Sequence, residues 1–324
     1  MDWAEAGRLV AAARRVVVVT HLSPDGDAIG SMLGLTWALR QLGKTVIPAV
    51  DDGVPSTFSF LPGAEEVRAR LRAVKPDLVI AVDCGDEGRM GRVGAAARAG
   101  GAPLINLDHH VTNTHFGDAN LVDGETVASA EGVYDWLPRL GVALDERIAT
   151  CLLTGIVTDT LGFRTSNVTP AALGKAQALM EAGASLYAIV RRTLLQKPYA
   201  VLRLWAAVIP NVTLEDGVIW AVIDRQTREL TGYTSNGDGG LVSLLISVEE
   251  ADIAAVFRER EDGRVEIGLR AVPGFDVSPV ALALGGGGHA LASGATVDGP
   301  LHEIVERTVQ MLRQAAKEGT PVGL

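Results

Sequence analysis

The chain has 324 residues, 48% apolar, 21% charged and 5% aromatic, with a formal net charge of −10. That length suits two domains, each burying its own core, and a glycine-rich, aromatic-poor composition suits α/β packing with tight turns. The acidic balance argues against wrapping a long polyanion, and two cysteines, Cys84 and Cys151, are too few for a disulfide framework or a Cys-rich zinc site.

In chain order, residues 14–20 hold a run of four valines that predicts a buried parallel strand. Residues 21–30 follow as a polar loop, then a helix over 31–42 and a strand over 44–50. A third strand is expected at 77–82, a loop at 83–88, a helix at 90–99 and a fourth strand at 103–107. This alternation predicts a doubly wound parallel sheet with helices on both faces. From about 119 to 195 the pattern is mainly helical, with helices at 145–158, 169–182 and 186–195. A second alternating region starts near 208. It holds strands at 218–223, 253–259, 265–271 and 292–297, helices at 241–248, 277–284 and 302–316, and a glycine run read as a loop. The expected organisation is a doubly wound parallel-sheet α/β domain over 1–185, a helical linker over 186–204 and a smaller α/β domain over 205–324. No basic stretch followed by an apolar signal core opens the chain, and no apolar run approaches the ~20 residues that span a bilayer, so a cytoplasmic protein without a membrane partner is expected.

The polar clusters stand directly after predicted strands or at a helix end, and ligands bind at the carboxyl ends of the strands in open parallel sheets. His21-Leu22-Ser23-Pro24-Asp25-Gly26-Asp27 puts an imidazole and two carboxylates on one turn. That donor set suits Mn²⁺, Fe²⁺ or Zn²⁺ better than Ca²⁺ or Mg²⁺. The competing reading is a surface turn whose aspartates cap the next helix. Asp83 follows the third strand, where a carboxylate can bridge two ions or simply form a turn. Asp108-His109-His110 follows the fourth; one histidine is expected to ligate, the other to face substrate, and Asp108 to orient an imidazole. Asp159 ends an apolar helix, where the helix dipole disfavours an unpaired carboxylate and a cation would reverse the penalty. Two histidines (His21, His109) and four aspartates (Asp25, Asp27, Asp83, Asp159) make a two-ion ligand set, able to polarise a phosphoryl group and activate water. In the second domain, Gly285-Gly286-Gly287-Gly288-His289 and Ala292-Ser293-Gly294 allow close backbone approach to a ligand and an anion-binding nest, and Arg270 offers a planar fork for phosphate.

These motifs resemble the DHH–DHHA1 phosphoesterases, and among them the oligoribonuclease/pAp-phosphatase (nanoRNase A-like) branch. The resemblance runs over nearly the whole chain: THLSPDGDAIGS, VDCGD, LDHHVTNTHFGD, ASAEGVYDW, TGIVTDTLGFRTSN and DVSPVALALGGGGHALASG. It implies two Mn²⁺ per active site, one on His21, Asp25 and Asp83, the other on Asp27, Asp83, His109 and Asp159, with Asp83 bridging. It implies that His110 contacts the scissile phosphate or acts as general acid, with Asp108 behind it. It assigns Arg270, Gly287, Gly288, His289 and Ser293 to substrate. The expected reaction is hydrolysis of short oligoribonucleotides or linear dinucleotides such as pApA to mononucleotides, together with removal of the 3′-phosphate of pAp. A homodimer is a further implication, and long duplex nucleic acid is not an expected partner. Leu161 and Leu284 depart from the pattern, where Gly and Phe are expected. The competing readings are a dedicated pAp phosphatase, a cyclic-di-AMP phosphodiesterase, and a non-catalytic nucleotide-binding module.

Overall fold

A strand covered on both faces needs an unbroken β-branched run, and the valines at 16 to 19 occupy such a strand, second from one edge of a five-stranded parallel sheet. The computed structural model describes residues 1–72, 74–234 and 237–319. The end of the predicted second domain, residues 320–324, lies outside them. The chain divides into two compact units, Met1–Gln196 and Lys197–Leu324.

The first unit runs α1 (Trp3–Ala12), β1 (Arg15–Val19), α2 (Gly26–Gln41), β2 (Thr45–Ala49), β3 (Leu78–Val82), α3 (Gly91–Arg98), β4 (Leu104–Asp108), β5 (Ala119–Val122), α4 (Ser129–Leu140), α5 (Glu146–Asp159), α6 (Pro170–Glu181) and α7 (Leu186–Val190). The sheet order is β2-β1-β3-β4-β5, every pairing parallel. Two apolar layers cover its faces. One joins the sheet to α1, α2, α4 and α5 through Ile29, Leu33, Ile80, Trp136 and Leu152; the other joins it to α3 through Val17, Val79, Met90 and Val93.

Two predicted elements of this unit change. Residues 119–122, placed in the helical region, form the fifth strand; at four residues the run is too short to show a period of its own. The loop expected over 21–30 ends at Gly26, because Asp25 caps α2 by accepting from the Ala28 amide (3.0 Å). Gly26, Gly30 and Gly34 then form a stripe along α2 facing α5. A Cβ on Gly30 would lie 2.5 Å from the Cys151 carbonyl oxygen, and one on Gly34 2.6 Å from Leu152. Glycines that look like loop formers are therefore the contact face of two closely packed antiparallel helices.

The second unit contains α8 (Tyr199–Val208), β6 (Thr213–Glu215), β7 (Val218–Ile223), α9 (Arg225–Thr231), α10 (Leu241–Leu245), β8 (Ile253–Glu259), β9 (Val265–Ala271), α11 (Ser278–Ala283), β10 (Gly287–His289), β11 (Ala292–Val297) and α12 (Leu301–Glu318). Its six-stranded mixed sheet has the order β10-β11-β9-β8-β7-β6, with β7 and β8 the parallel pair. Within 186–204, Ile189 belongs to the first unit's core, whereas Val201 and Leu204 on α8 belong to the second's. The glycine run is not all loop: Gly287–His289 is an edge strand paired with β11. Gly288 has φ +141°, and a Cβ there would meet the Ala292 carbonyl oxygen at 2.5 Å, so glycine is what lets the hairpin close.

Candidate metal centre

All six residues read as ligands from the sequence gather at one end of the first unit's sheet. His21 follows β1, Asp83 follows β3, and His109 follows β4, while Asp25 and Asp27 stand at the start of α2 and Asp159 at the end of α5. Parallel strands present their carboxyl ends on one edge, which brings residues 138 positions apart together.

Asp83 is the centre of the arrangement. Its Oδ2 lies 3.4 Å from His21 Nε2, and its Oδ1 lies 3.6 Å from His109 Nε2. Asp83 has φ +58°, a left-handed conformation that a non-glycine residue adopts only where its surroundings hold it. His21 Nε2 also lies 3.9 Å from Asp25 Oδ1, and His109 Nε2 lies 3.6 Å from Asp159 Oδ2 and 4.0 Å from Asp27 Oδ2. The potential ligand atoms thus fall into the sets His21–Asp25–Asp83 and Asp27–His109–Asp159, with a third, Asp83–His109–His110, overlapping both. Nδ1 of His21 lies 2.8 Å from the Leu22 carbonyl oxygen and 3.0 Å from Arg89 Nη2, and Nε2 is the nitrogen turned to the carboxylates.

The electrostatics suit divalent cations. Burial, and then the Asp83, Asp159 and Asp25 carboxylates, hold the Asp27 pKa well above its ordinary range. Burial, reinforced by Asp83 and Asp25, outweighs His109 and lifts Asp159 to about 6. Burial opposes charge on His21, but Asp25 and Asp83 outweigh it and raise its pKa to about 10. Carboxylates at this density repel one another, and imidazole with carboxylate oxygen is a transition-metal donor set; the residues present fit a pair of such ions.

Asp108 is not aimed at these sets. Its Oδ1 accepts from His110 Nδ1 (2.8 Å) and its Oδ2 from Asn113 Nδ2 (2.6 Å). The Asp108 hydrogen bond raises the His110 pKa against burial, and the ring stays partly exposed beside the cluster. Adjacent residues in the triplet therefore have different neighbours, Asp108 meeting His110 and Asn113 while His109 meets Asp83 and Asp159.

Sequence reasoning missed the groups that hold these side chains. Asn106, fully buried in β4, donates to the Cys84 carbonyl, and its Oδ1 accepts from Asn113. Asp27, 1% exposed, accepts from the Ser129 amide (2.5 Å), the Ala130 amide (3.0 Å) and the Ser31 hydroxyl (3.0 Å). Ser129 Oγ donates to Asp83 Oδ1 (2.9 Å). One signal for Asn106 was present: an asparagine inside an otherwise apolar strand.

The substrate residues read in the second unit lie on its sheet's edge. His289, Ala292 and Arg270 are direct neighbours across β10, β11 and β9, so their side chains share a face. Beside them Gly287, Gly294 and Gly268 form a row without side chains, part of whose surface belongs to a shallow concavity of about 530 Å³ lined also by Glu266 and Thr296. Ser293 is buried, and its hydroxyl donates to the His289 carbonyl (2.8 Å).

Two sequence families match this chain, "DHH family, N-terminal domain" over residues 15–156 and "DHHA1 domain" over 227–318. The chain is 36% identical to "Bifunctional oligoribonuclease and PAP phosphatase NrnA" of Thermus thermophilus over 92% of its own length and 89% of that protein. The chain belongs to the DHH–DHHA1 phosphoesterase family. It is accordingly a metal-dependent hydrolase of phosphoester bonds. The protein of the same name from Bacillus subtilis is 30% identical over 87% of this chain and 89% of its own. An exopolyphosphatase-related protein of Bacteroides fragilis shares the family fold, with a TM-score of 0.90 at 24% identity over 98% of this chain and 97% of that one. Among the described residues no helix is long and apolar enough to cross a membrane.

Proposed function

We propose that this DHH phosphoesterase uses two Mn²⁺ ions to hydrolyse short oligoribonucleotides and linear dinucleotides to mononucleotides, and that it also removes the 3′-phosphate of pAp. The observation that supports the two-ion reading is a pair of potential ligand sets on either side of Asp83, His21 of one set beside its Oδ2 and His109 of the other beside its Oδ1. The substrates follow from the curated relatives, which are named for both activities. His21, Asp25 and Asp83 would hold one ion, and Asp27, Asp83, His109 and Asp159 the other. When bound, such ions polarise phosphoryl oxygens and make water a better nucleophile at neutral pH. His110, held by Asp108, contacts the scissile phosphate and gives its Nε2 proton to the departing oxygen. Arg270 and His289 bind phosphate or base, and Gly287 and Gly288 allow the ligand close to the backbone. Ser293 acts through the hairpin, by fixing the carbonyl of His289.

The test is turnover by the purified chain with Mn²⁺ of 5′-labelled RNA two to about ten nucleotides long, and of pAp in parallel, with Asp83→Ala as control. Mononucleotide release fastest on the shortest RNAs and lost in the variant is the expected result. Turnover of pAp alone would reassign the chain as a dedicated phosphatase. Nucleotide binding without turnover, identical in wild type and variant, would make it a non-catalytic module.

A further inference from the structure

Ser129 is the first residue of α4 and is 1% exposed. Its backbone N–H donates to Asp27 Oδ2 (2.5 Å), and its hydroxyl donates to Asp83 Oδ1 (2.9 Å). Asp27 and Asp83 belong to different ligand sets. The two donors of one residue therefore reach the two sets at once. The next amide, Ala130 N–H, closes the clamp on Asp27 Oδ1 (3.0 Å).

We propose that Ser129 is the positioning residue that registers the two metal sites against each other, its hydroxyl fixing the rotation of the shared carboxylate of Asp83; this rests on the two-ion reading above. A carboxylate can turn about its Cβ–Cγ bond, and a bridging one must not. Asp83 must keep Oδ2 towards His21 and Oδ1 towards His109. On Asp83 Oδ1 the Ser129 hydroxyl stands at 2.9 Å, whereas His109 (3.6 Å) and His110 (3.8 Å) are beyond hydrogen-bond distance, so that hydroxyl fixes this oxygen while His21 faces the other. Ser129 also places donors between carboxylates that would otherwise only repel each other, and the α4 N-terminus adds its partial positive charge on Asp27. The segment is itself anchored. Glu131, in the first turn of the helix, accepts from the Val127 amide (2.7 Å) and pairs with Lys175 Nζ on α6 (3.0 Å). Groups that orient ligands in this way are typically worth a factor of 10–100 in metal affinity.

The experiment is an Mn²⁺ titration of the full chain, with free ion counted by electron paramagnetic resonance, on wild type, Ser129→Ala and Ser129→Thr. Wild type should bind two ions. Ser129→Ala should weaken at least one of them about 10–100-fold, and the threonine variant should recover most of that loss because it restores the hydroxyl. In turnover of pAp the Mn²⁺ concentration for half activity should rise by the same factor, while KM for pAp at saturating Mn²⁺ stays at the wild-type value. Should the alanine variant fail to fold, Ser129→Cys, which keeps volume but offers only a weak donor, replaces it. Two ions bound with wild-type affinity by a folded Ser129→Ala would overturn the inference and leave the two-ion reading standing. A wild type that binds no Mn²⁺ would overturn both.

Discussion

A single methyl group added at Gly155 tests how the metal centre is built. Gly155 lies one turn before Asp159 on α5, on the same face. A Cβ at this position would stand 2.6 Å from Asp27 Oδ1 and 2.7 Å from the Ala130 Cβ. Each contact is short of ordinary packing by about 0.7–0.8 Å, and both neighbours are fixed: Asp27 by three donors, Ala130 by the start of α4. The chain has to move α5 away from α2 and α4, or push Asp27 off its amides. Overpacking of this kind costs about 1–3 kcal/mol. It also displaces a carboxylate of the proposed metal centre, and a misplacement of roughly 1 Å can cost about 100-fold in rate. Gly155→Ala should therefore lower the urea midpoint of the metal-free chain, and should raise the Mn²⁺ requirement and depress kcat in the loaded enzyme. Unchanged stability together with an unchanged Mn²⁺ requirement would refute the close approach of these three helices, and with it the account of how Asp27 is held.

Three other outcomes follow from the same packing. Gly7 in α1 and Gly174 in α6 have open space where a Cβ would go, so alanine at either should stabilise the fold by about 0.5–1 kcal/mol in urea unfolding. Leu161, half exposed with φ +50°, bears a left-handed conformation costing roughly 1–2 kcal/mol. Glycine there returns about 0.5–1 kcal/mol of this as lost entropy, so Leu161→Gly should raise the urea midpoint slightly. Asp51 accepts from the Arg92 and Val93 amides at the start of α3 (3.0 and 2.8 Å), and, although burial acts against it, the Arg92 side chain and these amides hold its carboxyl below its usual range. A depressed folded pKa means that this contribution is complete above the unfolded value of about 3.9 and is lost as pH falls through the folded one. Asp51→Ala should cost about 1 kcal/mol at pH 7, and the difference from wild type should shrink only below about pH 4; a difference that vanished near neutrality would contradict the assignment.

The sequence by itself determined the chemistry and the class of fold. The valines of β1 and the apolar run of β3 can be buried only inside a parallel sheet, and each is followed at once by a polar group, so His21, Asp83 and His109 had to arrive at one edge whatever the helices did. Tertiary structure decided everything that depends on what lies across a contact. Gly26 and Gly30 look like turn residues along the chain, and only the nearness of α5 makes them the contact face of a helix. Gly287 and Gly288 look like a loop, and only β11 gives them a partner to become a strand. Ser129 carries no local signal for a role at the centre, because its worth lies in two carboxylates 102 and 46 residues away. A ligand can be recognised by its own donor atom and its place after a strand. The groups that hold a ligand still are ordinary serines, asparagines and glycines, and their role exists only once the chain has folded.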